Sequence, residues 1–306
     1  MSSPAEILKA HANRLGFMAC RVAKAEFLEE EAPRLDAWLG NGFQGSMAYM
    51  NNHHDKRLDP RLLVSGAKSV ITLAYNYFPE KDEAEDDHPK MAKYAYGKDY
   101  HRVVKDKLFE LMHLLQADLG QIGGRCFVDS APVMERAWAK RSGLGWVGKH
   151  GLILRKGEGS FFFLAELIVD MAFKVDQPVM DHCGTCTKCI DACPTQAIIA
   201  PEVVDANKCI SHLTIELKGA MDDAFQGQLK DWVFGCDICQ DVCPWNSHSK
   251  PHDEPDFMPG KWTEMDLKDW TSMSKEAFDR VFDQHPLKRT GYDGLMRNLK
   301  VNGFKA

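Results

Sequence analysis

Cys183-Gly-Thr-Cys186-Thr-Lys-Cys189-Ile-Asp-Ala-Cys193-Pro194 is the stretch on which the fold turns. Three cysteines at x2 spacing followed by x3-Cys-Pro is the pattern with which thiolates hold [4Fe-4S] clusters. A second group answers it: Cys209 stands alone, and Cys236-Asp-Ile-Cys239-Gln-Asp-Val-Cys243-Pro244 completes a split copy. Where two such runs occur together, the fourth cysteine of each ligates the other cluster, so the runs must fold against one another. The expected metal ligands are therefore Cys183, Cys186, Cys189 and Cys243 for one cluster, and Cys193, Cys209, Cys236 and Cys239 for the other.

Other cysteine chemistries fit less well. Structural zinc takes four thiolates from paired C-x2-C knuckles and has no use for the x3-Cys-Pro close. A disulfide framework needs an oxidising compartment, and the chain begins MSSPAEILKAH, without an apolar signal core or twin arginine. The C-x3-C-x2-C run of a radical-SAM site does not occur. A cytoplasmic protein is expected.

The remaining composition is that of an ordinary globular chain. It has 306 residues, 44% hydrophobic and 27% charged, and no apolar run approaches the ~20 residues of a membrane helix. A net charge of -6 argues against indiscriminate nucleic-acid binding but leaves room for a local basic patch.

From the N-terminus, Ala5 to Leu15 reads as a helix, Phe17 to Val22 as a strand with Cys20 a packed thiol, and Arg34 to Leu39 as a second helix. Met47 to Met50 resumes a helical turn before a polar run, and Arg57-Leu-Asp-Pro60 reads as a turn. Lys68 to Tyr77 is the best strand, rich in β-branched and aromatic residues. An acidic surface loop from Glu80 to Asp87 follows. The amphipathic segment from Asp99 to Gly120 is a helix, Gly124 to Asp129 a short strand enclosing Cys126, and Ser130 to Arg141 a helix with Pro132 in its first turn. The glycines at 143, 145 and 148 make Ser142 to His150 a flexible loop able to bring amides to a ligand. Leu152-Ile-Leu154 and Ser160 to Asp170 read as a strand hairpin. Helices mixed with a sheet predict an α+β or α/β layered domain over residues 1–176.

Gln177-Pro178 marks the boundary of a ferredoxin-like two-cluster module, residues 177–249. Within it, the insertion between Cys209 and Cys236 carries a helix up to Leu217. Residues 250–306 begin as an exposed, proline-marked connector and end in short helices, one capped by Ser274 and one by Asp293. The last segment is basic, with Lys288, Arg289, Arg297, Lys300 and Lys305 against Asp293.

Val128-Asp-Ser-Ala-Pro-Val-Met-Glu-Arg136, Gly145-Trp-Val-Gly-Lys-His150, and the two cysteine groups with Ile210-Ser-His-Leu-Thr-Ile-Glu216 between them resemble the epoxyqueuosine reductases. The likeness runs from about Arg57 to Cys243 and into Lys288-Arg-Thr and Arg297-Asn. It implies a cobalamin-binding catalytic domain, like that of reductive dehalogenases, joined to the two-cluster module and a short helical C-terminal region. The implied reaction removes the epoxide oxygen of epoxyqueuosine at the tRNA wobble position, with two electrons and two protons, leaving queuosine. The implied cofactors are base-off cobalamin and two [4Fe-4S] clusters, and the implied partners are tRNA and a low-potential donor such as a flavodoxin or ferredoxin, with no membrane and a monomeric protein.

By the same resemblance, Asp129 is the acid beside the substrate, and the reading against it is a helix cap near Ala131. Arg57, Lys149, His150, Ser211 and Ile238 fall with Asp129 where the family contacts cobalamin. Lys218, Lys288, Arg289, Arg297 and Lys300 are the expected tRNA contacts. Asp99-Tyr-His101-Arg-Val-Val104 begins like the D-x-H-x-x-G motif in which histidine ligates cobalt, but Val104 stands in place of the glycine, so His101 is expected to line the site or pack. Some members carry a cysteine near Ala95, which this chain lacks. A reductive dehalogenase of a small molecule and a ferredoxin-like carrier without chemistry of its own are the alternative functions, and cobalamin binding separates either reductase from the carrier.

Overall fold

The computed structural model describes residues 2–83 and 87–304. Lys305 and part of the expected acidic loop, residues 84–86, lie outside the described residues. The chain opens with helix α1 (Pro4–Arg14), where Ser3 and Glu6 form a capping box. Strand β1 (Ala19–Lys24), α2 (Ala32–Gly40) and the short α3 (His54–Leu58) follow. Arg57 thus sits in a helical turn, and it is buried: its guanidinium donates to the Tyr49 and Asn52 carbonyls and braces the loop before it.

Next come β2 (Ser69–Asn76), β3 (Lys90–Met91), α4 (Tyr100–Leu119), β4 (Gly124–Phe127), α5 (Glu135–Arg141), the two-residue strands β5 (Trp146–Val147) and β6 (Ile153–Leu154), and β7 (Phe162–Val169). The central sheet is antiparallel throughout, in the order β1-β2-β7-β4. Alternation decides its two faces. Ile71, Leu73 and Tyr75 of β2, with Phe163, Ala165, Leu167 and Val169 of β7, pack under α1 and α4. Val70, Phe127 and Ile168 point the other way, against α2 and α5. The result is a layered domain with helices on both faces. Cys20 and Cys126 pack beside the first of these cores, and burial pushes their thiols up to about 12 and about 11.

Three expectations need correction here. The helix expected from Ser130 starts only at Glu135, because Pro132 biases the residue before it away from helical backbone. β6 does not pair with β7: β6 pairs with β5, while β7 is flanked by β2 and β4 inside the sheet. The glycine loop is packed, not loose. A Cβ on Gly143 would lie 1.9 Å from the Gln177 carbonyl oxygen, and one on Gly145 2.2 Å from that of Leu154, so these glycines serve close backbone approach.

The cysteine-rich part contains α6 (Lys188–Asp191), β8 (Ile198–Ala200), β9 (Val203–Val204), α7 (Ile210–Ile215), β10 (Trp232–Phe234) and α8 (Ile238–Asp241). β10 pairs in parallel with β3, tying the insertion to the layered domain. Lys93 is a second tie: its buried ammonium reaches Asp241 at 2.9 Å and Asp82 at 2.8 Å, and its amide donates to Asp237 at 2.7 Å. The chain ends in α9 (Leu267–Thr271), α10 (Lys275–Val281), capped by Ser274, and α11 (Gly291–Val301), which Thr290 precedes, with Asp293 inside the first turn. The proline-marked connector is not exposed throughout: Phe257 is buried against Tyr75 and Phe163, and Glu254 accepts from the Tyr75 hydroxyl. Among the described residues, no helix is long and apolar enough to cross a membrane.

Candidate active site

β4 delivers the chain to Asp129 at the edge of the sheet. Its backbone is left-handed, φ 53°, a conformation aspartate tolerates better than most side chains. Tight turns occupy residues 128–133, with Ser130 N on the Val128 carbonyl and Ala131 N on that of Asp129. Asp129 therefore caps no helix. Its amide donates to Glu135 Oε1 at 2.5 Å, and its carboxylate Oδ2 lies 3.0 Å from His101 Nε2. His101 Nδ1 lies 2.7 Å from Asp99 Oδ1, and Asp99 also caps α4 through the His101 amide.

Asp99, His101 and Asp129 thus form one hydrogen-bonded string. Burial works against a charged imidazole, but the two carboxylates prevail and push His101 up to about 9. Burial alone would raise Asp129. The hydrogen bond and charge of His101, with help from Tyr100 and Arg289, outweigh it and hold Asp129 below the usual carboxylate range. The pair therefore shares its proton, with the His101 side favoured. With a carboxylate oxygen on each ring nitrogen, His101 offers no lone pair to a metal.

Aromatic rings wall this string. Tyr100 stacks on Phe163 at 4.1 Å and on His101 at 4.2 Å, and Tyr94 meets Tyr100 edge-on at 5.9 Å. Burial is the first influence on the ionisation of Asp129, Arg136, Tyr94 and Tyr100, yet all stay open to solvent, Asp129 with 58% of its side-chain surface. Groups with protein around them but wet on one side mark a concave, open face of the site. Tyr94 continues from there to the core of α7 and β10, where Ile238 packs beside Ile210 and Cys236. Ser211, in the first turn of α7, and Ile238, at the start of α8, stand next to cysteines 209 and 239.

Cys183, Cys186, Cys189 and Cys243 line one cavity of ≈ 340 Å³, with Lys149, His150, Lys188 and Trp245. Cys193, Cys209, Cys236 and Cys239 are close enough for each of the last three to feel a neighbouring thiol's charge, Cys209 and Cys239 both that of Cys193. Among the described residues, no three His, Cys, Asp or Glu side chains converge tightly enough for a single metal ion. The Lys149 and His150 side chains border the first cysteine cavity. Lys149 donates to the Gly184 carbonyl at 2.7 Å; His150 is buried, accepts from the Leu152 amide, and is pushed down to about 4 by burial and by Arg136.

The expected basic contacts divide. Arg297 is committed to the fold: its guanidinium donates to the Leu213, Leu217 and Gly219 carbonyls, so it is not free for a phosphate. Arg289 clasps Glu216 at 2.9 and 2.8 Å and lies 5.8 Å from the Tyr49 ring centre. Lys218 donates to the Arg289 carbonyl and Lys288 lies 3.2 Å from Asp279, both at exposed positions. Lys300 is exposed on α11.

Comparison with known proteins decides what this arrangement belongs to. Residues 57–130 match the family described as "Epoxyqueuosine reductase QueG, DUF1730", and 182–246 a "4Fe-4S double cluster binding domain". An epoxyqueuosine reductase of Cellulophaga algicola is 57% identical over 96% of both chains. The chain belongs to the epoxyqueuosine reductase family. A crystal structure of an epoxyqueuosine reductase with an epoxyqueuosine-modified tRNA-Tyr stem loop superposes with a TM-score of 0.87 at 31% identity, over 97% of this chain and 80% of that one. The reductive dehalogenase NpRdhA shares the fold alone, at 17% identity and a TM-score of 0.50 over 99% of this chain and 38% of that one.

The residues present suit the large flat cofactor that the family resemblance implies: an open face beside Asp129, aromatic rings stacked along it, and a His101 whose two ring nitrogens are both engaged by carboxylates and so do not compete for its metal. Sequence reasoning missed Tyr94, Tyr100 and Glu135 as parts of this site. The aromatic pair could have been suspected from its place before His101.

Proposed function

We propose that this protein reduces epoxyqueuosine to queuosine in the anticodon of tRNA, the last step of queuosine synthesis. The observation that carries the reading is the Asp99-His101-Asp129 string, open to solvent at Asp129, in a chain of this family that also carries the paired cluster cysteines. Residues 1–176 would form the catalytic layer, 177–249 the electron-supplying module with the two crossed ligand sets, and 250–306 a helical region at the tRNA side. A tRNA substrate and a low-potential donor suit a monomer working in the cytoplasm.

Ser211, Ile238 and the loop braced by Arg57 would hold cobalamin, with Lys149 and His150 contributing through the loop that also borders the first cluster. Bound there, cobalamin supplies a strongly reducing centre, and thiolate-held clusters reach the potentials needed to sustain it. The protein's own groups handle the protons. His101 carries one at Nε2, against Asp129 Oδ2, so the pair can hand a proton to the epoxide oxygen as its C–O bond opens. Tyr100, stacked on His101, keeps the imidazole in register. Two electrons and two protons convert the epoxide oxygen to water.

The test is the nucleoside content of tRNA from a deletion strain. Accumulated epoxyqueuosine, cleared when the gene is restored, supports the reading; normal queuosine in the deletion strain contradicts it.

A further inference from the structure

Glu166 has no place in the chemistry above, and its position is costly. It lies in the middle of β7, within Phe162-Phe-Phe-Leu-Ala-Glu-Leu-Ile-Val169, at 0% exposure. Its register partner on β2 is Thr72. Neither Glu166 oxygen nor the Thr72 hydroxyl, all buried, finds a hydrogen-bond partner among the ordinary donors and acceptors of the described residues. An ionised carboxylate so placed would cost several kcal/mol, so the group carries its proton. The charged group that acts on it most strongly is another carboxyl, that of Glu135, with Asp129 after it. Two carboxyls can bond only through a proton held between them.

Glu135 stands at the other end of this pair, half-buried at the start of α5, and it accepts the Asp129 amide at 2.5 Å. A series of acids therefore runs from the sheet core to the reacting edge: Glu166, Glu135, Asp129. The groups whose charges Glu135 feels are Asp129 and Arg136, with Glu166 beside it; burial first and Asp129 second push Glu135 up to about 8, and Glu166 is raised well above the usual range. An apolar residue at 166 would pack β7 against α5 more cheaply. A buried acid whose strongest charged influence is a second acid, itself bonded to the Asp129 amide, costs stability and marks a functional position.

We propose that Glu166 and Glu135 form a proton store that recharges Asp129 between the two protonations of one turnover. The inference rests on the reading of Asp129 as the group at the epoxide. The reaction breaks both C–O bonds of the epoxide, takes two electrons from the reduced cofactors, and makes two O–H bonds of water and the C=C double bond between the two former epoxide carbons. The first proton comes from the His101-Asp129 pair. The second moves from the Glu135 carboxyl, which holds the Asp129 amide at 2.5 Å, to the carboxylate of the same Asp129, while the Glu166 proton moves to Glu135. Solvent returns both protons after water leaves.

Infrared spectra of the unaltered, cluster-loaded protein at pH 7, in H2O and D2O, should contain an exchange-sensitive C=O stretch of protonated carboxyls that Glu166→Gln diminishes. The absence of any such band overturns the store without need of a variant. Glutamine fills the same volume and can hydrogen-bond Glu135, so a purely structural role would survive Glu166→Gln. Positioned acids are worth about 10²- to 10⁴-fold, and a store acting through one should cost about 10-fold in kcat, in Glu166→Gln and in Glu135→Gln, with KM for an epoxyqueuosine stem loop unchanged. Unchanged kcat in both overturns the proposal. Asp129→Asn, run in parallel, separates the failures. If it turns over normally, the role of Asp129 falls and the store with it; if it is inactive while both glutamine variants are normal, only the store falls.

Discussion

His101 and Asp129 share one proton between two groups whose ordinary affinities would keep them apart, and this makes the site sensitive to pH in a definite direction. A histidine raised from 6.5 to about 9 by its carboxylate partners contributes stability that is complete below 6.5 and is lost as pH rises through about 9. Turnover with a supplied reductant should decline over the same alkaline range, and His101→Gln should abolish that limb. A pH profile of the variant that keeps the limb would assign it to another group. Asp129→Asn should retain both clusters and tRNA binding while losing about 10²- to 10⁴-fold in turnover, the usual worth of a positioned acid; cluster absorbance, stem-loop affinity and single-turnover rates check the three parts. Spacing singled out the eight cysteines, four of which line one cavity, and a motif singled out Asp129. The direction of its ionisation was not legible, because it depends on His101, 28 positions away in sequence and 3.0 Å away in space.

At the scale of elements, α7 and α11 are joined by Arg297, which satisfies three carbonyls at and beyond the end of α7. Charged hydrogen bonds contribute about 1.5–3 kcal/mol each, so Arg297→Met should lower stability by at least about 2 kcal/mol in denaturant unfolding. It should not flatten the salt dependence of tRNA binding beyond what that loss explains. Neutralising Lys288 and Lys300 should do the reverse, leaving stability nearly unchanged and reducing the salt slope by about one unit per lost phosphate contact. An unchanged slope in the double lysine variant would return both residues to a solvated face. Helices α1, α2, α4 and α10 and strand β2 could be read from local pattern. The start of α5 and the partners of β7 could not: one is set by Pro132 and the left-handed Asp129, the other by strands far off in sequence. Apolar composition says that β7 is buried and leaves open by what.

Across the whole molecule, the layered part and the cysteine-rich part meet through β3 and β10 and through Lys93. Lys93→Met leaves Asp237 buried without its cation and should cost about 3–5 kcal/mol, with loss of cluster content tracking loss of the joint. The crossed assignment of cysteines makes a sharper statement. Cys243→Ser should damage the cluster held by Cys183, Cys186 and Cys189, and Cys193→Ser the one held by Cys209, Cys236 and Cys239; iron content and electron paramagnetic resonance distinguish this from sequential ligation, in which Cys243→Ser would disturb only the cluster of Cys236 and Cys239. The cysteine module was legible from spacing, and the residues 182–246 that match a double-cluster domain fall inside the expected span. The company Asp129 keeps was not, since His101, Tyr100 and Arg289 come from segments distant in sequence.

The most direct measurement supplies the reconstituted protein, both clusters and cobalamin bound, with a low-potential reductant and an epoxyqueuosine-modified stem loop, and reads the product nucleoside by mass spectrometry. The account predicts loss of one oxygen atom and formation of queuosine, with Asp129→Asn nearly silent under the same conditions. Unchanged epoxyqueuosine in the presence of intact, reduced cofactors would contradict it.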